Sequence, residues 1–267
     1  MMKIAKTLGC ASLVLGAVFS MAVGSVKAAD LSEATSPWTG PYIGANIGYG
    51  WDAGNVDLSE KSTDPALDDF LQAAVAAGMF PGSLSPDARG ILGGGQVGYN
   101  WQLSSGWVLG VEADLQASDI EGSSSETRTP FQFDETETGA HKKIDWFGTL
   151  RARAGYLVNP QLLLYATGGL AYGETSLKFE TTDVPAGCIP DATICSDDTS
   201  SGVKVGWTAG AGAEMMLTPN WSVKAEYLYL DLGERSFEAE SNTPIVFDAS
   251  AVYHEQVVHL GVNFHFN

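Results

Sequence analysis

Residues 107–118 read WVLGVEADLQAS. Trp107, Leu109, Val111, Ala113, Leu115 and Ala117 alternate with Val108, Gly110, Glu112, Asp114, Gln116 and Ser118. Strict period-two alternation marks a β-strand, whose successive side chains point to opposite faces. One face here is wholly apolar, and the other carries two neighbouring carboxylates. Twelve residues is also about twice the usual length of a strand in a soluble protein. The fold must therefore supply a long strand with an oily side and a charged side.

The same alternation recurs at about 40–51, 89–103, 143–157, 162–173, 203–217, 221–230 and 254–266, eight strands in all with 107–118. Tight turns at Ser104-Ser105-Gly106, Val158-Asn159-Pro160-Gln161 and Thr218-Pro219-Asn220 join alternate strands. The other connections, 52–88, 119–142, 174–202 and 231–253, are long. An even number of strands with short turns at one end and long loops at the other predicts an all-β fold. It is an eight-stranded antiparallel up-and-down transmembrane β-barrel with short periplasmic turns and long extracellular loops.

A soluble barrel would turn its charged face to water. Strands of ten or more residues instead match a tilted bilayer crossing. Tyr49, Trp51, Tyr99, Trp101, Trp107, Trp146, Tyr156, Tyr172, Trp207 and Trp221 sit near the ends of the apolar faces, as interfacial girdles require. The apolar faces are therefore expected to meet lipid and the polar faces the lumen. That assigns Glu112, Asp114, Asp145, Glu214 and Glu226 to the interior with Arg151, Arg153, Lys204 and Lys224. Five acids and four bases nearly cancel, and a narrow interior favours their pairing, because an unpaired buried charge is costly. Phe147, Leu163 and Leu228 fall on the polar face against this pattern.

The chain begins with a signal-like segment. Lys3 and Lys6 precede an apolar run, and Val26-Lys27-Ala28 suits a cleavage site, so residues 1–28 are read as a signal peptide. Residues 29–37 then form a short periplasmic segment and 38–267 the barrel domain. Loss of Lys3, Lys6 and Lys27 takes the net charge from −18 to −21. Such acidity argues against nucleic-acid binding. Of the 32 acidic residues, 24 lie in the four long connections, facing five Lys or Arg. The mature chain keeps Cys188 and Cys195, which an oxidising compartment is expected to join.

The first long connection is expected to hold a helix, with Asp64 as N-cap, Pro65 at the first position, and Leu67, Phe70, Leu71 and Val75 on one face before Gly78. It is read as a lid over the barrel mouth, with its backbone outside the strand ladder. Two motifs mislead. Gly93-Gly94-Gly95-Gln96-Val97-Gly98 satisfies a dinucleotide fingerprint but lies inside a strand. His254 and His259 imitate a zinc-protease pair, but their spacing puts them on opposite faces of a strand. His141 and His265 complete no cluster with them. Neither a catalytic residue, a metal site nor a cofactor is expected.

Trp38-Thr39-Gly40-Pro41-Tyr42-Ile43-Gly44 resembles the W-x-G-x-Y-x-G start of small alphaproteobacterial outer-membrane β-barrel proteins. DWFGTLRARAGYL (145–157), LLYATGGLAYGE (163–174), GWTAGAGAEMML (206–217) and WSVKAEYLYLDLG (221–233) resemble the same porin-family, outer-membrane-immunogenic group, which includes OmpA-like transmembrane barrels. The resemblance implies a monomeric barrel in the outer membrane of a Gram-negative cell, a surface antigen in some members and a haemin binder in others. It also implies a C-terminal signal for the barrel-assembly machinery. Here Val258, Leu260, Val262, Phe264 and Phe266 keep the alternating pattern, although Asn267 follows the final aromatic residue. The expected function is a structural surface barrel of the cell envelope, plugged by ion pairs and displaying acidic loops. Its expected partners are outer-membrane lipids and lipopolysaccharide. A small solute porin is the alternative, with haemin binding and outer-membrane catalysis behind it.

Overall fold

The computed structural model describes residues 37–52, 54–131, 134–184, 186–189 and 193–266. The assigned signal peptide, and residues 29–36 of the segment after it, lie outside the described residues, as does Asn267.

Among the described residues, ten antiparallel strands form one sheet. They are β1 Gly40–Asp52, β2 Val56–Ser62, β3 Ser83–Leu84, β4 Ala88–Gln102, β5 Trp107–Phe131, β6 Asp134–Asn159, β7 Leu162–Val184, β8 Ser196–Thr218, β9 Trp221–Glu240 and β10 Ile245–His265. Eight of them, β1 and β4 to β10, pair in chain order, and β1 pairs back onto β10 from Tyr42↔His265 to Trp51↔Gln256. That last pairing closes the ring and removes the free edges that an open sheet would expose.

The outward face is the apolar one. Ile47 is 66 % exposed, and Ile43, Val97, Val111, Leu150, Leu170 and Leu260 around the wall are similarly open. Aromatic pairs rim this band at both ends. Trp146–Tyr172 and Trp207–Tyr229 stand at the long-connection end, with ring centroids 6.1 and 5.4 Å apart. Trp107–Tyr156 and Trp221–Phe264 stand at the short-turn end, at 5.6 and 5.1 Å.

The long connections contain far more strand than the alternation suggested. β5 and β6 run 25 and 26 residues, although a tilted crossing needs only ~10. Beyond the upper aromatic rim the sense of the alternation inverts. The inward positions become apolar (Ile120, Ile144, Leu177, Phe179, Leu232, Phe247) and the outward positions polar. Above the rim the wall is therefore a water-exposed barrel with its own hydrophobic core, which loop-like Ser, Thr and Gly composition concealed.

The first connection also departs from expectation. Its backbone joins the ladder: β2 pairs with β10 over Ile245↔Ser62 to Ala251↔Val56, taking the place beside β10 that β1 holds lower down. Asp64 does cap a helical turn, accepting from Ala66 N at 2.9 Å, but the turn is a 3-10 segment, Pro65–Leu67, leading into α1, Asp68–Ala76. The packed face of α1 is Leu71 and Ala74, whereas Phe70 and Val75 are 51 % and 42 % exposed. Leu71, Phe80 and Leu84 enter the same core as Phe179 and Phe247, so this segment lids the barrel. Among the described residues no helix is long and apolar enough to cross a membrane.

Candidate functional site

Three layers fill the interior. At the short-turn end Trp38, Val108, Leu163, Tyr165 and Met216 form an apolar floor, and Trp38 Nε1 donates to Pro160 O at 3.1 Å. At the other end lies the larger apolar core, which takes in Phe147 and Leu228. All three apolar residues that broke the polar pattern are thus buried, and they belong to these two layers. The charged residues lie between them.

Antiparallel pairing sets Glu112 on β5 directly opposite Arg151 on β6. The guanidinium of Arg151 reaches Glu112 at 2.6 Å, Asp114 at 2.8 Å and Glu226 at 3.0 Å. Arg153 instead turns to Glu214 at 2.6 Å, with Glu112 at 3.7 Å, and lies 4.0 Å from the Tyr165 ring centroid. Lys224 binds Glu112 at 2.9 Å and Glu226 at 3.6 Å. Tyr42 Oη donates to Glu112 at 2.7 Å, and its ring lies where a side chain on Gly98 would stand. Thr149 Oγ1 donates to Asp114. These ionic side chains are almost wholly removed from solvent, where pair attraction is strong and an unpaired charge is most costly.

Two residues assigned to this set are elsewhere. Asp145 faces outward, 43 % exposed, and pairs with Lys143 at 2.7 Å. A bulge between Ile144 and Trp146 shifts the register of β6 and moves the Asp145 side chain to the opposite face. Lys204 keeps the inward phase but lies above the charged layer, half-buried, donating to Glu234 O at 2.7 Å.

The structure adds members that the sequence reading missed. His259 Nε2 lies 2.6 Å from Glu226, and His265 Nε2 lies 2.9 Å from Ser222 Oγ. Ser222 and Asn263 donate to Glu214 Oε1 at 2.6 and 2.7 Å. A second buried ion pair, Lys142 with Asp52, sits higher, where Lys142 also donates to Val252 O at 2.8 Å and lies over the Tyr253 ring. Glu255 is buried in the same region.

Ser222, His265 and Glu214 invite comparison with a hydrolytic triad, but the arrangement differs. The serine hydroxyl donates to the carboxylate itself, and all three side chains are buried. A triad needs the histidine between an accessible serine and the acid. Outside the aromatic rims, the Lys178 ammonium donates to the carboxylates of Glu180 and Asp197, which holds its pKa above the ordinary lysine range. Cys188 and Cys195 are disulfide-bonded with Cα atoms 5.7 Å apart. The residues of the terminal pattern, Val258, Leu260, Val262, Phe264 and Phe266, all face outward, opposite inward His259, Asn263 and His265.

A family model described as the outer membrane protein beta-barrel domain matches residues 13–266. The chain belongs to the outer membrane β-barrel protein family. A 31 kDa outer-membrane immunogenic protein of Brucella melitensis is 38% identical over 269 residues, covering 96% of this chain and 99% of that protein. A 22 kDa outer membrane protein of Rhizobium leguminosarum bv. viciae is 34% identical over 175 residues, 65% of this chain and 66% of that one. Among solved structures, Pseudomonas aeruginosa OprG aligns with a TM-score of 0.41 at 10% identity, covering 86% of this chain and 97% of that one. Ail of Yersinia pestis aligns at 0.34 and 13%, covering 85% and 99%. The apolar band of this outer-membrane barrel therefore faces lipid, and its long connections face the cell exterior.

Proposed function

We propose that this barrel is a closed structural element of the outer membrane, held rigid by its buried ion pairs and carrying an acidic outer surface. One observation carries the reading: the charged layer lies between an apolar floor and a larger apolar core. Apolar side chains on both sides of such a layer disfavour the passage of an ion, so Arg151, Arg153 and Lys224 act on the wall strands. They tie β5, β6, β8 and β9 together across the lumen. In this role the partners are lipids and lipopolysaccharide around the apolar band, and the assembly machinery that meets the terminal strand. The role is non-catalytic, in keeping with the buried and mutually bonded Ser222, His265 and Glu214.

Planar-bilayer recording of the refolded barrel tests this reading against the small porin. Steady conductance should be absent. A stable ohmic step whose ion selectivity changes in Arg151→Gln would replace the closed barrel with a channel.

A further inference from the structure

The strands β8 and β9 separate above the upper aromatic rim. Their ladder ends at the pair Trp207↔Asp231. Beyond it, residues 196–206 of β8 pair only with β7, and residues 234–240 of β9 only with β10, after a register shift at Leu232 and Gly233. Among the described residues, no strand pairing joins these two stretches. The two edges nevertheless stay in register. Lys204 Nζ donates to Glu234 O at 2.7 Å and Glu240 N donates to Asp198 Oδ2 at 2.8 Å, pairs that continue the count of the ladder below. Arg235 spans the middle, with Nη2 on Gly202 O at 2.7 Å and Nη1 on Ser200 Oγ at 3.2 Å. The top is tied by Ser196 Oγ on Glu240 O at 2.9 Å and by Asn242 N on Cys195 O at 3.0 Å.

The cause is local. Between Asp231 and Glu234, β9 takes three steps where β10 takes two, from His254 to Val252. Gly233 has φ +75 and its N–H donates to Asp231 Oδ1 at 2.8 Å. That is a glycine bulge, which bends and twists its strand away from a neighbour. It leaves two strand edges facing each other without a ladder, held by side-chain bonds that an added strand would have to replace. The carbonyls of Gly202 and Glu234 are capped by cationic side chains, where a neighbouring strand would supply amide N–H groups.

We propose that this seam receives an extended basic segment of another protein, which enters as an added strand between β8 and β9. Recognition is by backbone pairing, as in other strand-addition complexes. Charge selects the occupant. Asp197, Asp198, Glu234, Glu238 and Glu240 border the seam; the Asp197 and Glu238 side chains pair with Lys178 and Lys61 yet remain 71% and 63% exposed. A second copy of this chain would bring the same acids and a net charge of −18 to the contact. A segment alternating basic with β-branched residues would satisfy both edges and the acidic border.

The test uses the full barrel refolded into phosphatidylcholine vesicles and a fluorescent decapeptide of alternating lysine and valine. Binding is read by anisotropy and mapped by hydrogen exchange. The peptide should bind at least tenfold more tightly than the same sequence N-methylated at every backbone amide, which keeps the charge and loses the ladder. Exchange should slow in residues 196–206 and 232–240. The triple variant Glu234→Gln, Glu238→Gln and Glu240→Gln, checked for folding by its heat-dependent gel mobility, should bind at least tenfold more weakly. Equal binding of the N-methylated peptide would mean adsorption to an acidic surface and overturn the proposal. Absence of binding, protection elsewhere, or a dimer that already protects these edges would overturn it equally.

Discussion

Arg151→Ala removes the cation that touches three carboxylates, and the structure says which of the three is then stranded. Glu112 would keep Lys224 at 2.9 Å and Arg153 at 3.7 Å. Glu226 would keep His259 at 2.6 Å and Lys224 at 3.6 Å. Asp114 would keep only the hydroxyl of Thr149. Removing one partner of a buried ion pair costs about 3–5 kcal/mol, chiefly for the charge left behind. The substitution should therefore destabilise the barrel by about that amount. In the same background Asp114→Asn should restore roughly 1–3 kcal/mol, the penalty of an unsatisfied buried group, while Glu112→Gln should restore little. Urea unfolding in lipid vesicles, followed by tryptophan fluorescence for the two double-mutant cycles, separates these terms. A loss under about 1 kcal/mol for Arg151→Ala, typical of an exposed pair, would refute a sealed charge layer. Equal rescue by the two second-site changes would refute the assignment of the stranded group.

Phe247→Ala should cost about 3–5 kcal/mol, a usual loss for a buried aromatic residue, because Phe247 packs at 5.1 Å against both Phe80 and Phe179. The same unfolding assay measures it, and the loss should fall on the outer half, with faster amide exchange there. Deleting residues 56–62 should expose the outer core to a hydrophobic dye, since β2 pairs with β10 there, and shortening α1, which seats only Leu71 in that core, should raise dye binding less. Thiol titration of the denatured, unreduced chain lacking residues 1–28 should find no free thiol, and two would exclude the Cys188–Cys195 bond. Phe266→Ser should slow insertion of the nascent barrel in a reconstituted assembly reaction, an effect absent if Asn267 already disables the terminal signal.

The membrane-crossing wall was legible because lipid demands one kind of side chain on every outward position. β5 keeps a single phase from Val108 to Ile120, so Glu112 and Asp114 could be placed from spacing alone. Asp145 could not, because one extra residue in β6 reverses everything beyond it, although Phe147 on the polar face was a clue to the change of layer. His259, Asn263 and His265 share the inward phase of β10, but polar residues on a strand carry no mark of which carboxylate they meet across the lumen. Asp52 and Lys142 lay in stretches taken for loops. Above the rim water replaces lipid, outward positions turn polar, and a strand there looks like a connection. The separation of β8 from β9 had only Asp231-Leu232-Gly233 to announce it, and a glycine bulge has no period to detect.

The inversion of the wall beyond the rim has a consequence for whatever meets this cell from outside. β5 continues about fourteen residues past Ala117, which at ~3.3 Å per residue is a rise comparable with the membrane crossing itself. A macromolecule approaching that height encounters a pleated wall, with side chains from several neighbouring strands set in rows. That surface is then assembled from the arms of successive hairpins held side by side. A short linear peptide copied from any one of these connections would reproduce one row and lose the rest.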